Sequence, residues 1–352
     1  MNLFKPFRLR SVELKNRIAV SPMCQYSAEN GYPTNWYLVH LGSRAVGGAA
    51  LVFTEATAVS AIGRISPADT GIYLDSHVDA WRPIAEFVWQ HGAIPGIQLA
   101  HAGRKASTAV PWLGGAPIAA KEGGWTPVAP SAIPFSAGYA EPKELSPVEI
   151  GQVVSEFSTA AVRALQAGFQ VIEIHSAHGY LLHEFLSPLT NHRTDEFGGS
   201  FENRIRMLVR VAKAVREVWP QERPLFVRIS ATDWAENGWD LPQSVELARR
   251  LKAVGVDLVD VSSGGAIPGV QIPAGPGYQT GFAAAIRREA DIATGAVGVI
   301  TEPAQAETII SMQQADIVLL AREMLRDPYW PRRAAQKLGV KIKPPVQYER
   351  AW

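Results

Sequence analysis

Two histidines and a tyrosine follow a short apolar run in the middle of the chain, at His175, His178 and Tyr180. The run from Val171 to Ile174 predicts a buried strand, because it is short, β-branched and bounded by glycines. His175 then lies at the strand end, and the glycine-containing turn after it lets His178 and Tyr180 converge on the same space. A polar cluster at such a position needs partners, so it is a candidate site for chemistry.

Three interpretations of this cluster are open. The first is a hydrogen-bonded histidine pair covered by the tyrosine. The second is a metal site completed by His183, although no carboxylate or thiolate lies at motif spacing. In the third, two imidazole N–H groups hold a substrate oxygen that gains negative charge, and the tyrosine hydroxyl delivers a proton. The third interpretation requires another group to supply the electrons.

Composition narrows the class of protein. The chain has 352 residues, of which 47% are hydrophobic and 19% charged, so it can bury a large core. Its 34 basic and 33 acidic residues give a net charge of +1, which predicts no nucleic-acid partner and no anionic membrane surface. Cys24 is the only cysteine, which excludes an intrachain disulfide, a cysteine-ligated iron–sulfur cluster and a zinc ribbon. With no apolar leader or spanning segment, we expect a cytoplasmic protein without a membrane partner.

Short β-branched runs alternate with longer amphipathic stretches, which is typical of parallel strands joined by helices. Strands are predicted near Arg17 to Val20, Ala50 to Thr57, Ile94 to Leu99, Phe169 to His175, Leu225 to Ser230, Val256 to Val261, Ile292 to Gly298 and Asp316 to Leu320. Helices are predicted at Ser76 to Gln90, Pro147 to Ala167, Phe201 to Val218, Pro242 to Val254, Gly281 to Glu289, Pro303 to Met312 and Tyr329 to Leu338.

The helix from Pro147 carries a capping box, in which Ser146 and Glu149 cap each other's backbone N–H groups. Eight strand–helix units predict an α/β fold, a (β/α)8 TIM barrel over residues 1–340 as a single domain. The alternative is a doubly wound sheet, but no Gly-x-Gly-x-x-Gly turn follows the first strand. A Pro-, Gly- and Trp-rich excursion at 107–145 follows the third strand. It is either a lid over the barrel mouth, with Trp112 and Trp125 as its apolar walls, or a packed surface loop. A tail at 341–352 ends the chain.

In a barrel, the residues just past each strand face one pocket, and here most of them are small or polar. In chain order they are Ser21, Pro22, Met23, Cys24, Gln25, Tyr26, Glu55, Ala56, Thr57, Gln98, His101, Arg104, Arg228, Ser230, Ser262, Ser263, Gly298, Ala321 and Arg322. The loops after strands seven and eight often bind phosphate, and Gly298, Arg322 and the glycine-rich turn after Ser263 suit that role. Tight turns without a ligand are the alternative.

Two inward-facing polar residues extend this pattern. Arg228 has even spacing with Phe226 and Ser230, so we expect it inside the barrel, either ion-paired with Glu173 on the neighbouring strand or facing a ligand that gains negative charge, or both. Gln98 is also expected to point inward, with the donor and acceptor that a heteroaromatic amide edge requires.

Several motifs resemble those of the old yellow enzymes, a family of flavin-dependent ene-reductases. They are Ser21-Pro22-Met23-Cys24-Gln25-Tyr26, Gln98-Leu99-Ala100-His101-Ala102-Gly103-Arg104-Lys105, His175-x-x-His178-Gly179-Tyr180, Glu184-Phe185-Leu186-Ser187-Pro188 and Asn191-His192-Arg193-Thr194-Asp195. The order and length of these motifs cover nearly the whole chain. Cys24, the second histidine of the pair and the tail from Gln347 to Arg350 resemble the thermophilic-like class.

The resemblance implies non-covalent FMN in the barrel. Its phosphate is expected near Gly298, Ala321 and Arg322, and Arg228 beside the ring atoms that become anionic on reduction. The remaining cofactor contacts implied are the strand-one segment Ser21, Pro22, Met23 and Cys24, together with Ala56 near the reactive part of the ring and Gln98 at the pyrimidine edge.

The resemblance also implies the reaction. NADPH, or NADH, passes hydride to the flavin and leaves, and the flavin then reduces the activated C=C bond of an α,β-unsaturated carbonyl compound, with nitro compounds and quinones as further substrates. His175 and His178 are expected to hold the carbonyl oxygen, Tyr180 to protonate the α-carbon, and Tyr26 to position the substrate. We expect Cys24 to tune the flavin or substrate rather than attack it as a nucleophile.

By the same resemblance, Arg350 in the tail reaches a neighbouring subunit's pocket, so a homodimer or homotetramer is expected. Ala321 stands where many relatives have glycine, which raises the prospect of a shifted phosphate. Two other functions are alternatives. A larger relative with an iron–sulfur site is opposed by the single cysteine and the end at Trp352. A flavin-binding sensor without turnover is opposed by the presence of Tyr180 and both histidines.

Overall fold

A closed barrel of parallel strands forms the centre of the molecule in this computed structural model, which describes residues 1–352. In chain order the strands are β1 (Phe7–Leu9), β2 (Val12–Leu14), β3 (Ile18–Val20), β4 (Leu51–Ala58), β5 (Ile94–Ala100), β6 (Val128–Ala129), β7 (Lys143–Glu144), β8 (Val171–Ser176), β9 (Leu225–Ser230), β10 (Leu258–Ser262), β11 (Ala293–Ala296) and β12 (Ile317–Leu320). The barrel consists of β3, β4, β5, β8, β9, β10, β11 and β12 in that order, which confirms the predicted (β/α)8 fold.

Helices connect the strands around the outside. They are α1 (Asn35–Val46), α2 (Ser76–Gln90), α3 (Pro147–Gln166), α4 (Leu181–Leu186), α5 (Phe201–Val218), α6 (Leu241–Ala253), α7 (Thr280–Ala290), α8 (Pro303–Ser311), α9 (Arg322–Arg326) and α10 (Trp330–Lys337). The tail contains a short 3₁₀ helix, Val346–Ala351. None of the helices combines the length and apolar character that a membrane crossing requires.

Two apolar layers support the barrel. The larger layer lies between the strands and the helices, so both faces of the strands are covered, as parallel sheets require. The smaller layer fills the lumen near the start of the strands, where the rings of Phe53 and Phe226 are 5.9 Å apart. Val12 and Leu14 of the β1–β2 hairpin belong to this layer. The hairpin therefore closes one end of the lumen, and the C-terminal ends of the strands form the other.

Most elements match their prediction to within two residues at each end. The predicted strand from Phe169 to His175, for example, is Val171–Ser176. The capping box of α3 is present, because Ser146 Oγ accepts a bond from Glu149 N and the Glu149 carboxylate accepts one from Ser146 N.

The sequence analysis did not identify α1, α4, α9 or the β1–β2 hairpin. In α1, Trp, Tyr, Val and Gly residues have modest helix propensity, and packing against α2 and β4 overrides that preference. The 107–145 excursion contains only short 3₁₀ turns and the two-residue strands β6 and β7, which pair with each other.

Candidate active site

Strand alternation stacks successive layers of side chains inside the barrel. On β8 the buried residues Val171, Glu173 and His175 follow one another at every second position. Neighbouring strands pair so that Arg228 of β9 lies beside His175 and also beside Asp260 of β10. The lumen therefore changes from an apolar floor to a charged layer and then to the imidazole at the strand end.

The structure brings the predicted catalytic trio together. The His175 ring centre lies 5.1 Å from that of His178 and 5.1 Å from that of Tyr180, in edge-to-face arrangements. The turn needs left-handed backbone at His178 (φ 59°) and Gly179 (φ 71°). A Cβ on Gly179 would lie 2.1 Å from the Gly265 carbonyl oxygen, so only glycine fits there.

Both imidazoles are neutral near pH 7, because burial and the nearby Arg228 hold the pKa values of His175 and His178 well below the usual range. His178 Nε2 lies 2.7 Å from Ser262 Oγ, and Ser230 Oγ accepts a bond from His178 N at 3.0 Å. Nδ1 of His175 is buried and bonds to no protein group. A neutral imidazole can donate an N–H to an oxygen, which is the chemistry expected of this pair.

Tyr180 keeps its proton at neutral pH. Burial raises the pKa of its hydroxyl well above the ordinary value. The Lys105 ammonium lies 5.7 Å from the centre of the Tyr180 ring. Its Nζ donates bonds to the carbonyl oxygens of His178 (2.7 Å) and Gly265 (2.5 Å), and so connects the catalytic turn to the loop after β10.

The third histidine weighed for a metal site has other contacts. His183 Nδ1 accepts a bond from Gly179 N at 2.9 Å, and its Nε2 faces Asp233 Oδ1 at 3.0 Å. Since Nδ1 is an acceptor, the ring proton lies on Nε2. Both ring nitrogens thus face protein groups behind the catalytic turn.

The ion pair expected between Glu173 and Arg228 is wrong. Arg228 Nε lies 3.1 Å from Asp260 Oδ2, and its Nη1 donates to Ser21 Oγ at 3.1 Å. Glu173 accepts a 2.7 Å bond from Gln98 Nε2 instead. The register explains this result, because β9 places Phe226 beside Glu173 and β10 places Asp260 beside Arg228.

The segment after β3 lies along the rim. Pro22, Met23, Cys24 and Tyr26 are partly exposed there, and the Tyr26 ring meets Trp112 of the excursion at 6.0 Å. Although part of Cys24 reaches solvent, desolvation of its thiol by the surrounding protein, followed by the Glu55 carboxylate, raises the pKa of the thiol well above its ordinary value. The thiol is therefore protonated at neutral pH, as expected for a residue that does not act as a nucleophile.

Glu55 holds this rim segment in place. Its carboxylate accepts bonds from Gln25 N at 2.5 Å, from the Tyr37 hydroxyl at 2.9 Å and from Thr70 Oγ1 at 3.0 Å. Ala56, the next residue of β4, is buried beside Gln98. The pairing of β4 with β5 is irregular between Phe53 and Ala56, and this irregularity changes the direction of the side chains at the end of β4.

A cavity of about 370 Å³ continues from Arg228 to the ends of β11 and β12. Gly298, Ala321 and Arg322 line it, as the sequence predicts, together with Ser262, Tyr278, Gln279, Thr301 and Arg326. Gly298 has φ 121°, and a Cβ there would lie 2.8 Å from both Gln279 Nε2 and Tyr278 Cε1. The loop thus requires glycine at a position where its backbone borders the cavity.

Residues of the 107–145 excursion lie beside residues of the active site, whereas the tail packs against its own chain. The centre of the Phe135 ring lies 4.2 Å from Lys105 Nζ, whereas Trp125 packs under Arg64 and its indole N–H donates to the Ile62 carbonyl oxygen. Trp352 in the tail stacks on Tyr329 of the same chain, with ring centres 6.4 Å apart. Arg350 is exposed.

Several residues of the site, among them Asp260, Lys105 and Gln279, were not singled out by the sequence analysis. Asp260 has even spacing with Leu258 and Ser262 on β10, so alternation alone could have placed it inside. Lys105 stands at the end of a quoted motif, but its contacts cross from the loop after β5 to the loops after β8 and β10. Gln279 carries no local signal.

The chain matches the family model described as NADH:flavin oxidoreductase / NADH oxidase over residues 2–340. It is 52% identical to an NADPH dehydrogenase of Geobacillus sp. (strain WCH70), across 99% of this chain and 98% of that protein. The chain belongs to this family. It is an oxidoreductase enzyme of the old yellow enzyme type, with FMN as its cofactor.

Solved structures of family members share the fold. Morphinone reductase matches with a TM-score of 0.82 at 27% identity, over 98% of this chain and 92% of that one. The old yellow enzyme homologue from Zymomonas mobilis matches with a TM-score of 0.80 at 28% identity, over 99% and 96%.

The residues of this chain fit FMN. The glycine cradle at Gly298 and the Arg322 side chain suit a phosphate, and the cavity between them and Arg228 continues toward the layer inside the barrel. Gln98 has one amide N–H and its carbonyl left to offer after its bond to Glu173, which suits a pyrimidine edge. The charged guanidinium of Arg228 suits ring atoms that carry negative charge after reduction.

Proposed function

We propose that this enzyme takes hydride from NADPH and reduces the activated C=C bond of α,β-unsaturated carbonyl compounds, with nitro compounds and quinones as further substrates. The name of the 52% identical relative supports NADPH as the donor. The one observation that carries the proposal is the neutral imidazole pair beside a protonated tyrosine, with His175 Nδ1 left without a protein partner.

We assign the predicted residues the following roles. His175 and His178 donate N–H groups to the substrate carbonyl oxygen, and Tyr26 borders the same space. Because both imidazoles are neutral, they stabilise charge that develops on that oxygen without transferring a proton to it at the start. Tyr180 holds the proton that the α-carbon receives.

FMN, held by residues that include Arg228 and Gly298, would supply the hydride chemistry that links NADPH to the β-carbon of the alkene in a ping-pong sequence. One pocket serves both reactants in turn, which agrees with the single barrel. Lys105 keeps the histidine–tyrosine turn in place, because its Nζ donates to the carbonyl oxygens of both His178 in that turn and Gly265 in the loop after β10.

We propose that Ser21, Pro22, Met23, Cys24, Ala56, Gln98, Arg228, Gly298, Ala321 and Arg322 contact the cofactor. We further propose a homodimer or homotetramer, in which the exposed Arg350 enters the pocket of a neighbouring subunit. The tail is then a separate segment, 341–352, that follows the barrel domain.

Tyr180→Phe tests the chemical role of the tyrosine. Flavin reduction by NADPH should remain near the wild-type rate, while reoxidation by cyclohexenone should slow by roughly 10²-fold or more, since general acid catalysis is lost. Stopped-flow absorbance of the flavin follows the two halves separately. Tyr32→Phe is the matched control, because its hydroxyl bonds the exposed Ser76 Oγ. Equal loss in both halves for Tyr180→Phe would contradict its role as the acid.

A further inference from the structure

Four polar side chains form a buried layer inside the barrel. Gln98, Glu173, Arg228 and Asp260 come from the adjacent strands β5, β8, β9 and β10, and their exposed fractions are 1%, 0%, 6% and 0%. Strand pairing places Gln98 beside Glu173 and Arg228 beside Asp260. We call this set the polar layer.

The polar layer contains two carboxyl groups and one guanidinium. Arg228 Nε lies 3.1 Å from Asp260 Oδ2, so the single cation is already paired. Glu173 Oε1 accepts the 2.7 Å bond from Gln98, and Glu173 Oε2 is buried without a partner. A second ionised carboxylate in this position would be an uncompensated buried charge, which is costly.

The layer avoids that cost if Glu173 keeps a proton. Asp260 has the guanidinium in direct contact, whereas Glu173 has only the neutral Gln98 amide. Because Oε1 accepts the Gln98 bond, the proton belongs on Oε2. Burial and then the Asp260 charge raise the pKa of Glu173 well above its usual range, with Arg228 acting in the opposite direction.

The charged and titratable groups that face Glu173 are few. From β9 there is Arg228 and from β10 Asp260, while β5 contributes only the uncharged Gln98. On β8 itself, His175 is neutral because burial and Arg228 hold its pKa well below the usual range. Toward the floor of the lumen lie the apolar Val171 and Phe226.

We propose that Glu173 is a positioning residue that carries a proton in the resting holoenzyme, orients the Gln98 amide and makes the electron affinity of the bound flavin depend on pH. When pH rises, the O–H bond of Glu173 breaks, the proton goes to solvent and one negative charge appears in the polar layer; no electron moves in this step. Reduction also adds negative charge to a flavin, which opposes the first charge. The inference rests on FMN occupying the cavity above the layer.

Glu173→Gln tests this proposal in the holoenzyme. The variant keeps an oxygen acceptor for Gln98 and resembles the protonated acid at every pH. We expect equal flavin midpoint potentials for wild type and variant at pH 6.5, and a lower potential for wild type at pH 9.5. A tenfold difference in the ratio of reduced to oxidised flavin corresponds to about 30 mV for a two-electron couple. Spectroelectrochemical titration across this pH range provides the measurement.

Glu184→Gln is the matched control. Glu184 is also a buried carboxyl group whose pKa burial raises to about 8, but it accepts its bond from Arg104 N behind the catalytic turn. Its substitution should leave the pH dependence of the potential unchanged. Burial also lowers the pKa of Lys105 to about 8, so an inflection caused by Lys105 would persist in Glu173→Gln.

Potentials of wild type and Glu173→Gln that coincide at all pH values, or that differ by a constant, would overturn the proposal. If the variant does not retain FMN, a wild-type curve without an inflection between pH 6.5 and 9.5 would still overturn the proposal. Turnover of cyclohexenone with NADPH distinguishes failure of this proposal from failure of the proposed function. If the enzyme reduces the enone but the potential–pH curves of wild type and Glu173→Gln coincide, Glu173 has no such role and the proposed function is unaffected.

Discussion

Replacing Gly298 by alanine tests the proposed phosphate cradle. The added Cβ would lie 2.8 Å from Gln279 Nε2 and from Tyr278 Cε1, closer than real Cβ contacts come. Gln279 cannot move away easily, because its Nε2 donates to the Val297 carbonyl oxygen at 2.8 Å and its Oε1 accepts from Ser263 Oγ at 2.6 Å. The loop after β11 must therefore shift.

The size of the effect follows from the backbone. A non-glycine residue at φ 121° is strained, and such strain costs about 1–3 kcal/mol. If the loop escapes this strain when FMN leaves, the same free energy appears in the affinity for FMN, which corresponds to roughly a 5- to 150-fold increase in Kd. Release of FMN on dilution of the holoenzyme, followed by flavin fluorescence, measures this change.

Gly151→Ala is the matched control for this experiment. Gly151 lies within α3, and a Cβ there meets nothing within 4 Å. This change should leave the FMN affinity unchanged and stabilise the helix by about 0.5–1 kcal/mol. An FMN affinity for a folded Gly298→Ala variant equal to that of the control would refute the cradle.

Two further predictions concern stability and the tail. The pKa of Glu184 is raised by burial from 4.5 to about 8, so the folded state retains a proton that the unfolded state has released, and stability falls as pH rises through this window. Between pH 6.5 and 8, the unfolding free energy of Glu184→Gln should therefore fall by about 2 kcal/mol less than that of wild type, as measured by urea denaturation. An equal pH dependence of the unfolding free energy in both proteins would contradict this. Deleting Tyr348 to Trp352 removes Arg350 and the stacking of Trp352 on Tyr329, and should impair turnover or dimerisation. Steady-state kinetics and mass measurement check it, and a truncated enzyme with unchanged kinetics and mass would argue against a role for the tail.

Local patterns were enough to place much of the site. Alternation along β8 and the glycine after His178 predicted that His175, His178 and Tyr180 converge, and the structure brings them together. The positions of Gly298, Ala321 and Arg322 around one cavity followed in the same way from eight repeating units. These features depend on strand period and turn chemistry, which neighbouring residues set by themselves.

The charge partners were decided only by the tertiary structure. Sequence spacing permitted Glu173 as the partner of Arg228, but the register between β9 and β10 supplies Asp260 instead. Lys105 likewise reaches the His178 turn only because the loops after β5 and β8 are adjacent around the barrel.

The sequence by itself determined the fold, the family motifs and the end of the barrel at which the polar residues gather. It could not determine which carboxyl group shares the buried guanidinium, and therefore which one holds a proton. Alternation along a strand determines the face on which a side chain lies. Whether a buried carboxyl group is ionised depends instead on its distance from charged groups on other strands, which are far away in the sequence.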